Sequence, residues 1–367
     1  MNEIYDKLAR HLEHLVMGYP YNEHLPALLA EMFSPDEACV AMAIPTALAP
    51  LRGVNGEEIA KACQMPHDQV LETLAAMAER GMIFSGPTES GETGYSLLQI
   101  GYGVPQAFFW GGKEDETART MAKRVLKYFT VETTGKVYGG VETKSYRYAP
   151  SSLAVTAPLQ GALPGEAIRP IVEAAKTIAV AHCPCRMSAK LLGRDDCPHP
   201  LEVCLKYDEL AEFVIRRGLA RRISKEEALE ILEMAERAGL VHMVDNAAGE
   251  VKHTCNCCGC YCWNVGIIRR RKIPRDQLMA SYFLRRTDLA ACVGCGACQE
   301  ICPVDAVKMD DDGKPAVDLD WCIGCGVCAV ACPTDAIELY RRRQEPLPAD
   351  FLSLHREIAD QKKAAKS

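Results

Sequence analysis

Two runs of cysteines near the C-terminus of this 367-residue chain are the residues best suited to do chemistry. Each run has the spacing Cys-x2-Cys-x2-Cys-x3-Cys followed by proline, at Cys292, Cys295, Cys298 and Cys302 and again at Cys322, Cys325, Cys328 and Cys332. Cysteine thiolates are soft ligands that bind zinc, copper or the iron of iron–sulfur clusters. Structural zinc usually takes its four thiolates from two Cys-x2-Cys pairs, so the even spacing within each run favours iron–sulfur clusters.

The repeated run resembles the bacterial-type 2[4Fe-4S] ferredoxin family, with every ligand position and both prolines present. In that family three cysteines of a run bind one cluster, and the fourth binds the other cluster. The resemblance implies two [4Fe-4S] clusters, cluster 1 on Cys292, Cys295, Cys298 and Cys332, and cluster 2 on Cys322, Cys325, Cys328 and Cys302. The glycines between the cysteines permit the tight turns or let backbone N–H groups approach sulfur atoms; they are Gly294, Gly296, Gly324 and Gly326.

Nine further cysteines cluster in the middle of the chain and are predicted to bind metal, because so many free thiols are otherwise easily oxidised. They are Cys183, Cys185, Cys197 and Cys204, then Cys255, Cys257, Cys258, Cys260 and Cys262. Nine thiolates could hold two more cubanes with one spare, one cubane and one zinc ion, or a larger cluster. One grouping joins the first four and, separately, Cys255, Cys257, Cys260 and Cys262, and mixed sets fit equally well. We expect at least one further iron–sulfur cluster here.

Other groups near these cysteines could tune or replace a ligand. The segments Cys183-Pro184-Cys185-Arg186 and Cys255-Asn256-Cys257-Cys258 resemble segments found with ferredoxin repeats in iron–sulfur proteins of anaerobic metabolism. Arg186 would lower the pKa of the Cys185 thiol or pair with Glu202. Four histidines could replace a thiolate or donate to a sulfur, although an ordinary core or surface role is simpler for each: His182, His199, His242 and His253. Cys39 and Cys63 stand alone and are expected to be small buried side chains.

Composition and charge place these sites in a soluble globular protein of a reducing compartment. Hydrophobic residues make up 48% and charged residues 25% of the chain, enough for buried cores. An odd number of cysteines in a long chain does not favour a disulfide scaffold. The longest apolar stretch, Cys39 to Leu51, is too short to span a bilayer, and Glu3 and Asp6 stand where a signal peptide carries basic residues. We therefore expect a cytoplasmic protein without membrane insertion.

The elements that must position the cysteines predict an α+β chain of several domains. In residues 1–100 a helix from Asp68 to Arg80 precedes a hairpin of Met82 to Phe84 with Tyr95 to Leu98, which resembles a winged helix-turn-helix domain. Residues 101–180 are expected to be a connector that contains an amphipathic helix near Glu116 to Phe129. The remaining predicted units are a cysteine-rich helical domain at 181–284, the ferredoxin domain at 285–340 and a basic tail at 341–367.

A winged helix would suggest DNA binding, but the charge of this domain does not. Residues 1–100 contain 5 Lys and Arg against 14 Asp and Glu, a net charge of −9 in a chain whose total is −7. Contact with phosphates requires Lys and Arg that displace counterions. We therefore expect the domain to contact protein or to act as a scaffold.

The sequence has no recognisable motif for a nucleotide, a flavin, a zinc protease or a nucleophile elbow. Without a hydride carrier or an acid–base pair, the chain is expected to relay single electrons between redox partner proteins, within a larger complex. Two stretches, 269–286 and 341–343, are rich in arginine and could dock an acidic partner or neutralise the clusters. Two other readings stay open, namely an iron–sulfur sensor or transcription regulator that uses the winged helix, and an oxidoreductase with a catalytic central cluster.

Overall fold

The front of the chain mixes helices with a small antiparallel sheet, in a computed structural model that describes residues 3–88, 90–154 and 167–365. Its elements are α1 Glu3–Leu12, α2 Leu25–Met32, α3 Pro35–Ala43, β1 Val54–Asn55, α4 Gly56–Ala62, α5 His67–Glu79, β2 Ile83–Pro87 and β3 Thr93–Leu97. The strands form one sheet in the order β1-β3-β2. A capping box starts α3, because Ser34 Oγ accepts from Glu37 N while Ser34 N donates to Glu37 Oε2 at 2.8 Å.

The hairpin predicted for the front unit is confirmed, since β2 and β3 pair with Ile83 opposite Leu97. The helix before it, α5, buries Val70, Leu74 and Met77, the apolar residues whose spacing predicted the helix. The likeness of this unit to a winged helix stays a prediction.

The middle of the chain is built around one sheet. Its elements are α6 Ala107–Trp110, α7 Glu116–Tyr128, α8 Val131–Tyr138, β4 Tyr146–Ala149, α9 Ile168–Ala174, β5 Ile178–His182, α10 Pro184–Leu191, β6 Glu202–Tyr207, α11 Asp208–Arg216, β7 Arg221–Ile223, α12 Lys225–Arg237, β8 Val241–Asp245, β9 His253–Cys257, α13 Val265–Arg269 and α14 Arg275–Leu278. The strands β4 to β9 form an antiparallel sheet in the order β4-β8-β9-β6-β5-β7. The predicted amphipathic helix of the connector is α7.

This sheet corrects two expectations. The cysteine-rich region 181–284 was predicted to be helical; it contains the five helices α10 to α14, but four of the six strands also lie in it, so the prediction left out the sheet. The sheet also crosses the expected boundary at 180, since β4 and β5 come from the predicted connector. All residues of β4 and β8 are buried, including Arg147 and His242 between their apolar neighbours, so polar residues in these strands do not mark a solvent-exposed face. Residues 155–166 of the expected connector lie outside the described residues.

The C-terminal part carries both cysteine runs between two paired strands. Its elements are β10 Phe283–Thr287, α15 Ala297–Glu300, β11 Val307–Met309, β12 Pro315–Val317, α16 Val327–Val330, β13 Ile337–Arg341 and α17 Phe351–Ala364. The outer strands β10 and β13 pair with Thr287 opposite Ile337, and β11 pairs with β12. The predicted basic tail contains α17, whose Phe351 packs on Tyr102 with ring centroids 5.2 Å apart.

The central sheet separates two hydrophobic cores. Along β5, Ala179 and Ala181 belong to the larger core, whereas Ile178 and Val180 belong to the smaller one. The larger core runs from the front helices to Phe351, so it joins all parts of the chain. Among the described residues, no helix is both long enough and apolar enough to cross a membrane.

Candidate metal centres

The two cysteine runs fold into matching halves. In each half a backbone N–H donates to the sulfur of the fourth cysteine, Ala306 N to Cys302 Sγ and Ala336 N to Cys332 Sγ, both at 3.3 Å. Such a bond stabilises the thiolate form, which is the form that binds metal. The fourth cysteine of each run therefore has the same hydrogen-bonded environment.

Each predicted ligand set of the ferredoxin domain meets in space. The residues expected to hold cluster 1 line one cavity, namely Cys292, Cys295, Cys298 and Cys332. In the set for cluster 2, burial raises the pKa of the Cys328 thiol to about 12, and the charges of Cys322 and Cys302 raise it as well, against Arg285. Burial and the same neighbours raise the pKa of Cys325. Buried thiols this close fit a bound group that supplies positive charge, as iron does, and the assignment of each cluster stays a prediction.

The second run is anchored to the rest of the chain by its backbone. Gly324 has φ of +65°, and a Cβ at this position would collide with the carbonyl oxygen of Phe283 on β10. Ser151 N donates to Cys325 O at 3.0 Å. The loop that carries Cys322 and Cys325 is thus held against β10 and the end of β4.

Six of the nine central cysteines form one group, which we name the six-thiol site. Neighbouring thiols hydrogen-bond one another in the order Cys183, Cys185, Cys262, Cys257, Cys255 and Cys204. All six line one cavity, which Trp110, Phe129 and Trp263 also border. The site draws on the start of α10, the strands β6 and β9, and the turn before α13.

The other three central cysteines form a second group, which we name the three-thiol site: Cys197, Cys258 and Cys260. Their sulfur atoms all lie within 4.8 Å of one another, and the distance from Cys197 Sγ to Cys258 Sγ is 3.8 Å. The grouping of Cys183, Cys185, Cys197 and Cys204 is therefore wrong, and the mixed sets are the ones that the structure brings together.

Strand geometry explains why adjacent cysteines serve different sites. Successive side chains of a strand point to opposite faces of the sheet. Cys255 and Cys257 of β9 face the larger core, whereas Cys258, the next residue, faces the smaller core. The register of β8 against β9, with Met243 opposite Cys255, fixes which face each thiol takes.

Buried positive charge surrounds the six-thiol site. Lys206 is 1% exposed, and its Nζ lies 3.1 Å from Cys204 Sγ and 4.4 Å from the centroid of the Trp110 ring. Burial alone would lower the pKa of His253, but the charge and hydrogen bond of Asp245, together with those of Cys255, outweigh burial and raise that pKa to about 9. A buried ammonium beside a thiol is stable only when negative charge is near. The surroundings therefore fit an anionic group such as a thiolate-bound cluster.

Thiolates are also stabilised directly at this site. Hydrogen bonds from Cys185 and Cys257 lower the pKa of the Cys262 thiol well below its usual range, and backbone N–H groups lower it further. One of these, Asn264 N, lies 3.4 Å from Cys262 Sγ. The hydrogen bond of Cys185 also lowers the pKa of Cys183, to about 7. The donor set is thus prepared to bind metal.

Arg186 interacts with cysteines of both the six-thiol site and the three-thiol site. Its guanidinium donates to Asn256 O at 3.2 Å and to Pro200 O at 2.7 Å, and the charges of Cys183 and Cys258 raise its pKa against the effect of burial. The alternative pairing with Glu202 is wrong, because Glu202 binds Arg221 at 3.0 Å.

Among the described residues, no histidine joins the close group of thiols at the three-thiol site. His182 Nδ1 contacts Trp110 O at 3.2 Å, and His242 contacts Glu236 and Asn256. His199 is half-buried and follows Cys197 by two residues. Cys39 and Cys63 are half-buried rather than buried, and neither belongs to a thiol site.

The arginine-rich stretches bind mainly within the chain. Arg269 pairs with Asp305 at 3.0 Å, and Arg342 forms a two-pronged pair with Asp276 at 2.8 Å for both contacts. Arg275 donates to the carbonyl oxygens of Leu319 and Cys322. Of the two predicted roles, these contacts favour internal neutralisation over docking.

Two residues of these centres escaped the sequence analysis. Lys206 interrupts the buried run of β6, and a charge inside such a run was a usable signal. Tyr148 lies on β4, and the charges of Cys262, Cys257 and Cys325 all act on it. No pattern in the sequence marks Tyr148, because its neighbours come from distant parts of the chain.

Comparison with known families concerns the C-terminal unit. Residues 291–336 match the family described as 4Fe-4S dicluster domain. The matched segment contains all eight cysteines of the two runs, so this part of the chain is a 4Fe-4S ferredoxin-type domain. No curated protein matches the chain.

Proposed function

We propose that this chain is an iron–sulfur electron-transfer protein, or a subunit of a redox complex, that works in the cytoplasm. Single electrons pass between two [4Fe-4S] clusters of the bacterial ferredoxin type and one further cluster at the six-thiol site. When bound, such clusters accept and release one electron at a time. The cysteines of the two runs hold the first two clusters in the crossed arrangement described above.

The position of Tyr148 carries this proposal. Tyr148 is 2% exposed. Burial raises the pKa of its phenol well above the usual value, and the charges of Cys262, Cys257 and Cys325 raise it further. The first two cysteines belong to the six-thiol site and Cys325 belongs to the second run, so one aromatic ring is within electrostatic reach of both. The six-thiol site and the second run thus both act on one buried aromatic ring of the larger core, which supports a relay between them.

A chain of hydrogen bonds makes a second connection between the same centres. Ser152 N and Oγ donate to Glu236 Oε1 at 2.8 and 2.7 Å. Glu236 Oε1 lies 2.9 Å from His242 Nε2, and His242 Nδ1 lies 2.6 Å from Asn256 Oδ1. Ser152 follows the residue that donates to Cys325 O, and Asn256 stands between two cysteines of the six-thiol site. The polar path therefore parallels the aromatic one.

The exposed end of the relay is cluster 1. Cys295 is exposed, and Leu289 and Val293, close to it in the first run, are 55% and 66% exposed. Exposed apolar side chains at a redox centre are typical of a surface that docks a partner protein. We place the entry of electrons here, from a partner with an apolar patch around its own redox centre.

Contacts of the front unit support a scaffold role. Phe84 of β2 packs against Phe213 of α11 with ring centroids 5.3 Å apart. Arg217 pairs with Glu79 at the end of α5 at 3.0 Å. The unit thus docks on the central domain through its hairpin, with one ion pair from Glu79 at the end of α5, and the exposed acidic residues of α5 do not favour a transcription regulator.

A second candidate function is reduction of a small molecule at the six-thiol site. A cubane uses four thiolates, so six leave two spare. The cavity also contains Trp110 Nε1 and Asn264 Oδ1, which are buried and have no hydrogen-bond partner among the described residues. A spectral shift of the reduced protein on addition of cyanide would support an open iron position, and no shift would favour the relay alone.

Metal analysis of the anaerobically purified protein tests the relay. About 12 iron and 12 acid-labile sulfide per chain, the content of three cubanes, are expected, with coupled electron paramagnetic resonance signals on full reduction. The triple variant with Cys204→Ser, Cys255→Ser and Cys257→Ser leaves three thiols at the six-thiol site, one fewer than a cubane needs, so it should lose about 4 iron, and the control Cys63→Ser should lose none. About 8 iron in both the wild type and the triple variant would contradict the relay and leave a protein with ferredoxin clusters only.

A further inference from the structure

The spacing of sulfur atoms differs between the thiol groups of this chain. A zinc ion binds thiolates at about 2.3 Å in a tetrahedron, which places its sulfur ligands about 3.8 Å apart. The distance from Cys197 Sγ to Cys258 Sγ is 3.8 Å, and Cys260 Sγ lies within 4.8 Å of both. A cubane binds each thiolate through a different iron, so its ligands stand farther apart.

The three-thiol site is the one group of the described residues in which three or more ligand atoms lie this close together. Neither cysteine run gathers its sulfur atoms to that degree, and neither does the six-thiol site. Spacing therefore separates this group from the iron–sulfur sites of the same chain.

We propose that Cys197, Cys258 and Cys260 hold a single zinc ion, with solvent as the fourth ligand. The bond change is simple, because three thiols release their protons and form three zinc–sulfur bonds without any change of oxidation state. The ion is redox-inert, so it takes no part in the relay, and the inference does not depend on the proposed function.

The surroundings of the site suit a fixed ion. Arg186 lies within reach of the Cys258 thiol and offsets the negative charge of three thiolates around one divalent ion. Cys258 is 1% exposed, within the smaller core. Next to the ligands, the hydroxyl of Tyr261 donates to the Asp196 carboxylate, which braces the two segments that supply them.

The ion has a position from which it can clamp the central domain to the ferredoxin domain. Gly259 stands between two of the ligands, and a Cβ there would lie 3.1 Å from the carbonyl carbon of Pro303 and 2.9 Å from Arg269 Cδ. Pro303 follows Cys302, a predicted ligand of cluster 2. Arg269 Nε also donates to Asp305 Oδ2 at 3.0 Å. Zinc binding therefore fixes the turn on which the segment 302–305 rests.

Metal content of single variants tests the site. The wild type is expected to contain about one zinc per chain, and Cys197→Ser and Cys260→Ser to contain less than about a tenth of that, with iron unchanged. The triple variant with Cys204→Ser, Cys255→Ser and Cys257→Ser is the matched control, because it should lose iron and keep zinc. Loss of about four iron from Cys197→Ser with no change in zinc would assign the site to a cluster and overturn the proposal.

A measurement on the wild type tests the site even if the variants fail to fold. X-ray absorption at the zinc edge is expected to show three sulfur neighbours at about 2.3 Å and one lighter neighbour. Zinc below about a tenth per chain in protein with its full iron content, or zinc bound only to nitrogen and oxygen, would overturn the proposal. Either result would leave the electron relay untouched, because the relay is judged by iron and by electron paramagnetic resonance.

Discussion

His242 and Glu236 form a fully buried pair between the six-thiol site and the second cysteine run, with 2.9 Å between Nε2 and Oε1. The Asn256 amide N–H donates to Val203 O, so its oxygen faces the other ring nitrogen of His242. Both ring nitrogens of His242 therefore face oxygen atoms, Glu236 Oε1 on one side and Asn256 Oδ1 on the other.

Replacing Glu236 by glutamine removes the carboxylate from this buried pair. Breaking a buried pair on one side costs about 3 kcal/mol or more, so Glu236→Gln should lower the free energy of unfolding by about that amount. Glu233→Gln on the same helix is the control, because Glu233 pairs with Arg237 in solvent and should change stability by less than about 0.5 kcal/mol. Anaerobic urea unfolding followed by circular dichroism measures both. Equal stability of the two variants would contradict the pair's contribution.

The same carboxyl group predicts a pH dependence. Burial would raise the pKa of Glu236, but the hydrogen bond and charge of His242 outweigh burial and lower the pKa to about 2 from its ordinary value of 4.5. A lowered pKa means stability that is present above pH 4.5 and lost as the pH falls towards 2. The stability difference between the wild type and Glu236→Gln should therefore shrink from pH 5 to pH 3. A difference that stays constant over this range would contradict the lowered pKa.

Removing the positive charge of Lys206 should lower the reduction potential of the cluster that we propose at the six-thiol site. Its ammonium lies 3.1 Å from Cys204 Sγ, and a nearby cation favours the reduced state, which is more negative. Lys206→Met should lower the potential by about 60 mV or more, a tenfold change for a one-electron couple. Lys190→Met is the control, since Lys190 pairs with Glu114 on the surface. A redox titration by electron paramagnetic resonance compares them, and an unchanged potential in Lys206→Met would contradict the charge effect.

Gly324→Ala should disrupt cluster 2 more than Gly296→Ala disrupts cluster 1. Both glycines have positive φ, +65° and +78°, so both variants carry a backbone penalty of about 1–2 kcal/mol. A Cβ at Gly324 also collides with Phe283 O, whereas one at Gly296 meets no atom within 4 Å among the described residues. We expect about half-occupancy or less of cluster 2 in Gly324→Ala, from its content of about 4 iron. Equal iron in the two variants would show that the close approach has no role.

Two variants test the aromatic ring and the hydroxyl group of Tyr148 separately. The hydroxyl is buried without a hydrogen-bond partner among the described residues, so Tyr148→Phe should keep or slightly raise stability. Tyr148→Leu removes the ring between the centres, costs about 1–3 kcal/mol through the cavity it leaves, and should slow internal electron transfer several-fold. Rapid-mixing reduction with dithionite measures the rate. Equal rates in both variants would place the electron path elsewhere, for example along the hydrogen bonds through Glu236.

The sequence by itself determined the ferredoxin domain, because its ligands are local. Three cysteines spaced by two residues, with glycines between them, can turn around one cluster whatever surrounds them. The hairpin at Ile83 and the amphipathic helix α7 were predictable for the same reason, since turn residues and apolar spacing are local properties.

Only the tertiary structure decided how the nine central cysteines divide. Cys197 and Cys258 are 61 residues apart, yet their sulfur atoms are 3.8 Å apart, and Cys257 and Cys258 are adjacent yet serve different sites. Strand pairing brings distant segments together and turns alternate residues to opposite faces, and the pairing depends on burial across the whole sheet. The strands were missed because they are short and buried on both faces, so polar residues such as Arg147 and His242 do not mark a solvent-exposed face. Lys206 and Tyr148 gained their roles in the same way, from neighbours that only the folded sheet brings to them.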